Sequence, residues 1–118
     1  MHFDYRELTA YSEPLSAEDL IEGDIYFFLT FADDDMLLPS LEPVVFIGGN
    51  LGTNETGTIY FQDIESYQQG IRHNGSNSEV AVFYSGSAKE TGHVFEYEHA
   101  LEELMRCSIR RKRMITGS

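Results

Sequence analysis

The stretch "DIYFFLTF", residues 24–31, constrains the fold more than any other segment. Successive side chains of an extended chain point to opposite faces. Ile25, Phe27, Leu29 and Phe31 therefore share one face, and Tyr26 and Phe28 the other. Both faces are apolar, which predicts a central strand rather than one with a solvated side.

The flanking chain repeats this logic. "PLSAEDLIEGD" (14–24) reads as one helical turn delivering the chain into that strand. Ser16 and Asp19 form a capping-box pattern, Leu15 and Leu20 a hydrophobic staple, and Gly23 ends the turn. "PVVFIGG" (43–49) predicts a second strand, with Pro39 and Pro43 placed before it, where a missing N–H costs least. "TIYFQDI" (58–64), "EVAVFYSG" (79–86) and the short "HVFEY" (93–97) predict three more. "GNLGTNETG" (49–57) and "HNGSNS" (73–78) are turns, and "ESYQQG" (65–70) is a helical turn stopped by Gly70. Residues 1–11 carry a weak strand signal at Phe3 and Tyr5.

From about Glu98 the pattern is helical, and no Pro or Gly interrupts 93–116. Leu101, Leu104, Met105 and Ser108 fall on one face, expected to meet the core, with Tyr97 leading into it. His99, Glu102, Glu103, Arg106, Arg110 and Arg113 fall on the other, expected to be solvated. Lys112 lies on the extended apolar face, so the helix is expected to leave the core or fray near residue 111. The fold class is therefore α+β: a curved antiparallel sheet or small β-barrel of about five strands, with one C-terminal helix packed on it. The 118 residues are expected to form a single domain, 1–118.

Charge is distributed unevenly. The chain holds 20 acidic and eight basic residues, net −12. Five of the bases, Arg106, Arg110, Arg111, Lys112 and Arg113, lie in "RCSIRRKR", after every acidic residue. The preceding body carries −17, which disfavours nucleic acid and anionic membrane and favours a basic partner. Glu102 and Glu103 stand four and three residues before Arg106, spacings that support ion pairs on a helix. Acid near the start and base near the end of a helix also complement its dipole, each by roughly 0.3–1 kcal/mol. The basic stripe thus reads first as a well-placed helix face, second as a segment docking on acid of its own body or of another copy. A phosphate contact is the least expected reading, because the negative body opposes it.

Cys107 and Arg113 match the C-x5-R spacing of cysteine phosphatases. That chemistry needs a phosphate-wrapping loop and a thiolate at a helix N-terminus. "SIRRK" has no glycine and the cysteine lies towards a helix C-terminus, so the match reads as accidental and Cys107 as a small side chain at the core rim. Asp33, Asp34 and Asp35 offer oxygen ligands for a hard cation but lack calcium-loop spacing, and read as a solvated turn. His2, His73, His93 and His99 show no zinc spacing. "GGNLGTNETG" (48–57) has no lysine and no following helix, so it is a hairpin loop rather than a phosphate cradle. "YSGSA" (84–88) lacks the nucleophile-elbow pattern. Gln62, Asp63, Ser66 and Tyr67 form a polar cluster at a sheet end that is able to bind a ligand. No metal or other cofactor is expected, and no segment carries a family signature.

One cysteine excludes an intrachain disulfide framework. Residues 1–14 lack the basic-then-apolar pattern of a signal peptide, and no apolar run reaches the roughly 20 residues that span a bilayer. A cytoplasmic protein is the default expectation. The leading functional expectation is a non-enzymatic binding module with an acidic surface, of the inhibitor or immunity type, acting on a basic protein. Candidate contacts are Asp33–Asp35, Gln62, Asp63 and Tyr67. The alternatives are a small enzyme or ligand-binding barrel using Asp33, Asp35 or Asp63, and a self-associating structural domain. A deep pocket with convergent polar groups would separate the second reading from the first.

Overall fold

A computed structural model describes residues 15–116. The strand expected around Phe3 and Tyr5 lies outside them. Ser16 caps a 3-10 turn, Ala17–Asp19, by accepting from the Glu18 N–H. Leu15 and Leu20 pack on one core, as a staple should. Gly23 then takes φ 90°, and its N–H donates to the Phe46 carbonyl at 2.8 Å, tying the turn to the sheet.

The sheet holds five strands: β1 (Ile25–Phe31), β2 (Pro39–Gly49), β3 (Thr58–Asp63), β4 (Phe83–Ser87) and β5 (Val94–Phe95). Their spatial order is β4-β3-β2-β1-β5, with every neighbouring pair antiparallel. The chain meanders through β1 to β4, then crosses from the β4 edge to the opposite edge, where β5 joins β1. The sheet is therefore curved but open, which resolves the choice between sheet and barrel. A bulge at Ile47, between Phe46 and Gly48, adds to the bend; Gly48 there has φ 128°, a conformation side-chain-bearing residues rarely adopt.

Two strand boundaries differ from the sequence expectation. Pro39 and Pro43 lie inside β2, paired with Phe31 and Phe27. The Phe46 N–H points at β1, donating to Asp24, so residues of opposite parity, the prolines included, turn their nitrogens away from β1. On that side β3 pairs only from Val44 onwards, so neither proline removes a ladder bond. The strand expected at 79–86 begins only at Phe83, after a 3-10 turn at Ser78–Val80. Its ladder partner runs out, because β3 ends at Asp63 and the chain enters α1 (Ile64–Gln68).

The sheet buries two faces, as the double-sided β1 requires. Tyr26, Val44, Phe46, Ile59, Phe61 and Val94 form the core on the first face, with Leu15, Ala17 and Ala88 packed against it. Val44 and Val94 are 0% and 1% exposed, and full burial of such side chains is worth about 1.5–3 kcal/mol each. On the second face Leu29, Phe95 and Phe27 lie under Ala100 and Leu104 of α2 (Tyr97–Thr116).

The orientation of α2 differs from the amphipathic reading. Ala100 and Cys107 are buried, whereas Leu101, Met105 and Ile109 are 61%, 52% and 48% exposed, and Ser108 is exposed too. Ala100 and Leu104 meet Phe27, Leu29 and Phe95 of the sheet, and Cys107 faces the loop after β1, its thiol 3.7 Å from the Leu37 carbonyl. The bulkier stripe is left on the outside. Residues 111–115 are exposed but still helical, so the helix leaves the core without fraying. Among the described residues no helix is long and apolar enough to cross a membrane.

Candidate functional site

Side-chain parity builds a cleft on the first face. Inward-facing positions on β1 read Tyr26, Phe28, Thr30; those on β2 run back from Val44 through Glu42 to Ser40. The inward row turns polar at Glu42 on β2, opposite Phe28, and one level further on at Thr30 on β1, opposite Ser40. The core ends there and a cleft of about 340 Å³ begins. Phe28, Ile59, Phe61 and Val94 line its floor, and Thr30, Ser40, Glu42, Tyr84, Ser85, Ser87, Glu90 and His93 its rim. The volume lies at the small end of ligand pockets.

Aromatic rings dominate the floor. Phe28 meets Phe61 and Tyr84 edge-to-face, at centroid distances of 4.9 and 5.4 Å, and His93 at 5.1 Å. Phe28 thus reaches across β2 to rings on β3 and β4, which the curvature of the sheet makes possible. The Tyr84 hydroxyl donates to Glu42 Oε1. That bond, with partial burial, pushes the phenol up to about 12, so it stays a donor at physiological pH. A cationic group entering the cleft would find the partly exposed rings of Phe28 and Tyr84 and the exposed carboxylates of Glu42 and Glu90 together.

The residues singled out from sequence lie elsewhere. Asp33 folds its carboxylate back onto its own turn, accepting from the Leu37 N–H at 3.0 Å and the Leu38 N–H at 2.8 Å. Desolvation raises its carboxyl, but these N–H groups and Arg110 outweigh it and hold the acid below its ordinary value of 3.8. Asp34 and Asp35 remain exposed beside it. Asp63 caps α1, accepting from the Ser66 N–H at 3.0 Å, and also accepts from the Val82 N–H at 2.9 Å. Burial raises Asp63 too, and the Ser66 hydroxyl and the backbone donors hold it below 3.8. Gln62 is fully buried, donating to Ser66 Oγ and the Ile71 carbonyl at 2.8 Å each. Tyr67 lies under the Arg72 guanidinium, 3.9 Å from ring centroid to carbon. Asp33, Asp63 and Gln62 are thus tied into the backbone, and none of the six candidates lines the cleft.

The basic stripe docks in part on the acidic turn. Arg110 Nε donates to the Met36 carbonyl and Arg111 to the Leu37 carbonyl, both at 3.0 Å. The Cys107 thiol approaches the same Leu37 carbonyl at 3.7 Å. Arg106 pairs with Glu102 at 2.8 Å and with Glu103, the expected spacings, and Lys112 and Arg113 are exposed. Cys107 and Arg113 both lie on α2, with no loop between them to wrap a phosphate. Among the described residues no group of three or more His, Cys, Asp or Glu side chains is placed to hold a metal ion.

Sequence reasoning passed over Glu42, Glu90 and His93 as site residues because each stands alone in its segment. The readable signal was the parity of Thr30, Glu42 and Ser40, polar residues that continue the apolar rows ending at Phe28 and Val44. No protein-family model matches the chain, and no curated protein or solved structure is significantly similar to it.

Proposed function

We propose that the protein is a non-enzymatic binding module that captures a basic protein partner and seats one of its lysine or arginine side chains in the cleft of the first face. The observation that carries this reading is the composition of that cleft: an aromatic floor of Phe28 and Phe61, with Tyr84, His93, Glu42 and Glu90 around it. A guanidinium or ammonium group gains from ring faces and carboxylates at once, and contact with a desolvated ring is worth about 2 kcal/mol. The net charge of −12 adds a long-range attraction that speeds the approach of a basic protein. The lone cysteine suits a reducing compartment, and the cytoplasm is the proposed setting.

The test is kinetic. Partners captured from a native extract are measured across a salt series against wild type, Glu42→Gln/Glu90→Gln and Asp34→Asn/Asp35→Asn. The reading expects basic partners, association that slows as the Debye length shortens from about 10 Å at 0.1 M salt to about 3 Å at 1 M, and a larger loss from the glutamate pair. Acidic partners, or an on-rate indifferent to salt, would sink it. The cleft also has the size of a small-molecule site. If a free alkylammonium or guanidinium compound binds there and no protein does, the ligand-binding reading replaces the first.

A further inference from the structure

The exposed stripe of α2 lies outside the buried core and outside the cleft, and its first residue, Tyr97, meets the sheet, edge-to-face on Phe27 at 4.9 Å. Tyr97, Leu101, Met105 and Ile109 recur every four residues along one side of the helix and are 51%, 61%, 52% and 48% exposed. Such a row is a ridge of the kind that packs against a like ridge on another helix. Four large apolar side chains in line make a contiguous patch, not the scattered exposure that every surface shows.

Charge indicates what covers it. Within α2, the acids Glu98, Glu102 and Glu103 precede the bases Arg106, Arg110, Arg111, Lys112 and Arg113, giving a net +2. The other residues hold 17 acids and three bases, net −14. Two copies therefore repel through most of their surface and least through α2. A parallel pairing of two α2 helices sets acid against acid and base against base. An antiparallel pairing avoids this and brings the Glu98 end of each helix to the Arg113 end of the other, while Glu102 and Glu103 stay paired with Arg106 of their own helix.

We infer that the α2 stripe is the contact surface of a symmetric antiparallel dimer, with its two-fold axis at Met105. In this register Leu101 meets Ile109 of the second copy, and Tyr97 lies near its Arg113, within reach of a cation–π contact. The contact is isologous, so it closes at two copies and leaves both clefts outside it. Head-to-tail docking of the basic half on a neighbour's acidic body would instead give open-ended association.

The full chain is tested by sedimentation equilibrium and by cross-linking. Met105→Cys in a Cys107→Ser background places two thiols across the proposed axis. Under mild oxidation it should give a disulfide-linked dimer, whereas Ser85→Cys in the same background, on the cleft rim, should not. Leu101→Glu/Ile109→Glu should keep the native circular dichroism and raise the dimer Kd about a hundredfold or more, since like charges would face each other across the contact. A protein that sediments as a monomer at high concentration overturns the inference, even if the helix then binds anionic vesicles. So does self-association that the glutamate variant leaves intact, or that yields no Met105→Cys cross-link.

Discussion

At the scale of single residues, identical side chains in a row take different work. Asp33, Asp34 and Asp35 are equivalent in sequence, yet only Asp33 folds back to accept the Leu37 and Leu38 N–H groups. Asp33→Ala should therefore lower Tm measurably, while Asp34→Ala and Asp35→Ala leave it near wild type. Thermal melts of the three variants decide this. The pH dependence follows from the direction of the shift. The acid is held below 3.8 in the folded chain, so its contribution is fully present above that value. It is lost as pH falls through the lower folded value. Asp63 behaves the same way, with burial opposing and the Ser66 hydroxyl and backbone donors prevailing. Acid melts of Asp33→Asn should be flatter than those of wild type below about pH 4. Equal slopes would show that the loop bonds do not persist in solution.

At the scale of elements, the orientation of α2 separates periodicity from packing. An amphipathic reading puts Leu101, Leu104, Met105 and Ser108 inward, with Cys107 only at the rim of the core. Instead Cys107 is 2% exposed and Leu101 61%. Thiol labelling distinguishes the two directly: Cys107 should resist a disulfide reagent in the native protein and react fully once the chain is unfolded. Rapid native labelling would mean that the helix presents its other face to the sheet. Cys107→Ser should cost about 1 kcal/mol in denaturant unfolding, because the hydroxyl is buried but can still donate to the Leu37 carbonyl.

At the scale of the whole molecule, a net charge of −12 on 118 residues makes the compact state repel itself. Added salt screens that repulsion, so Tm should rise as ionic strength increases from about 0.01 M to 0.15 M. The Arg106 pairs with Glu102 and Glu103 pull the other way, and because they are largely buried, salt weakens them less than it would an exposed pair. Calorimetric scans of dilute protein show which dominates, and a falling Tm would mean that local ion pairs outweigh the global repulsion. The chain path belongs to this scale as well. The crossing between β4 and β5 carries Thr91, whose hydroxyl donates to the Leu15 carbonyl and so ties the connection to the start of the described chain.

The alternation of Tyr26 and Phe28 against Phe27 and Leu29 determined from sequence alone that a strand with two buried faces lies inside the sheet. Gly and Asn clusters placed the turns, and an uninterrupted 93–116 placed the helix. These signals are local: each depends on neighbours within a few residues and on the backbone geometry they allow. The tertiary structure alone decided the rest. The prolines could enter β2 because β3 stops short of them. β4 began late because its ladder partner had turned into α1. The face of α2 that met the fold is the one that puts Ala100 and Leu104 on Phe27, Leu29 and Phe95 and brings Cys107, Arg110 and Arg111 to the Met36 and Leu37 carbonyls, against the apolar periodicity of its other side. The cleft draws Phe28, Glu42, Tyr84 and His93 from β1, β2, β4 and the crossing, so no short window contains it. Its existence depends on sheet curvature, which brings residues far apart in the chain to one surface.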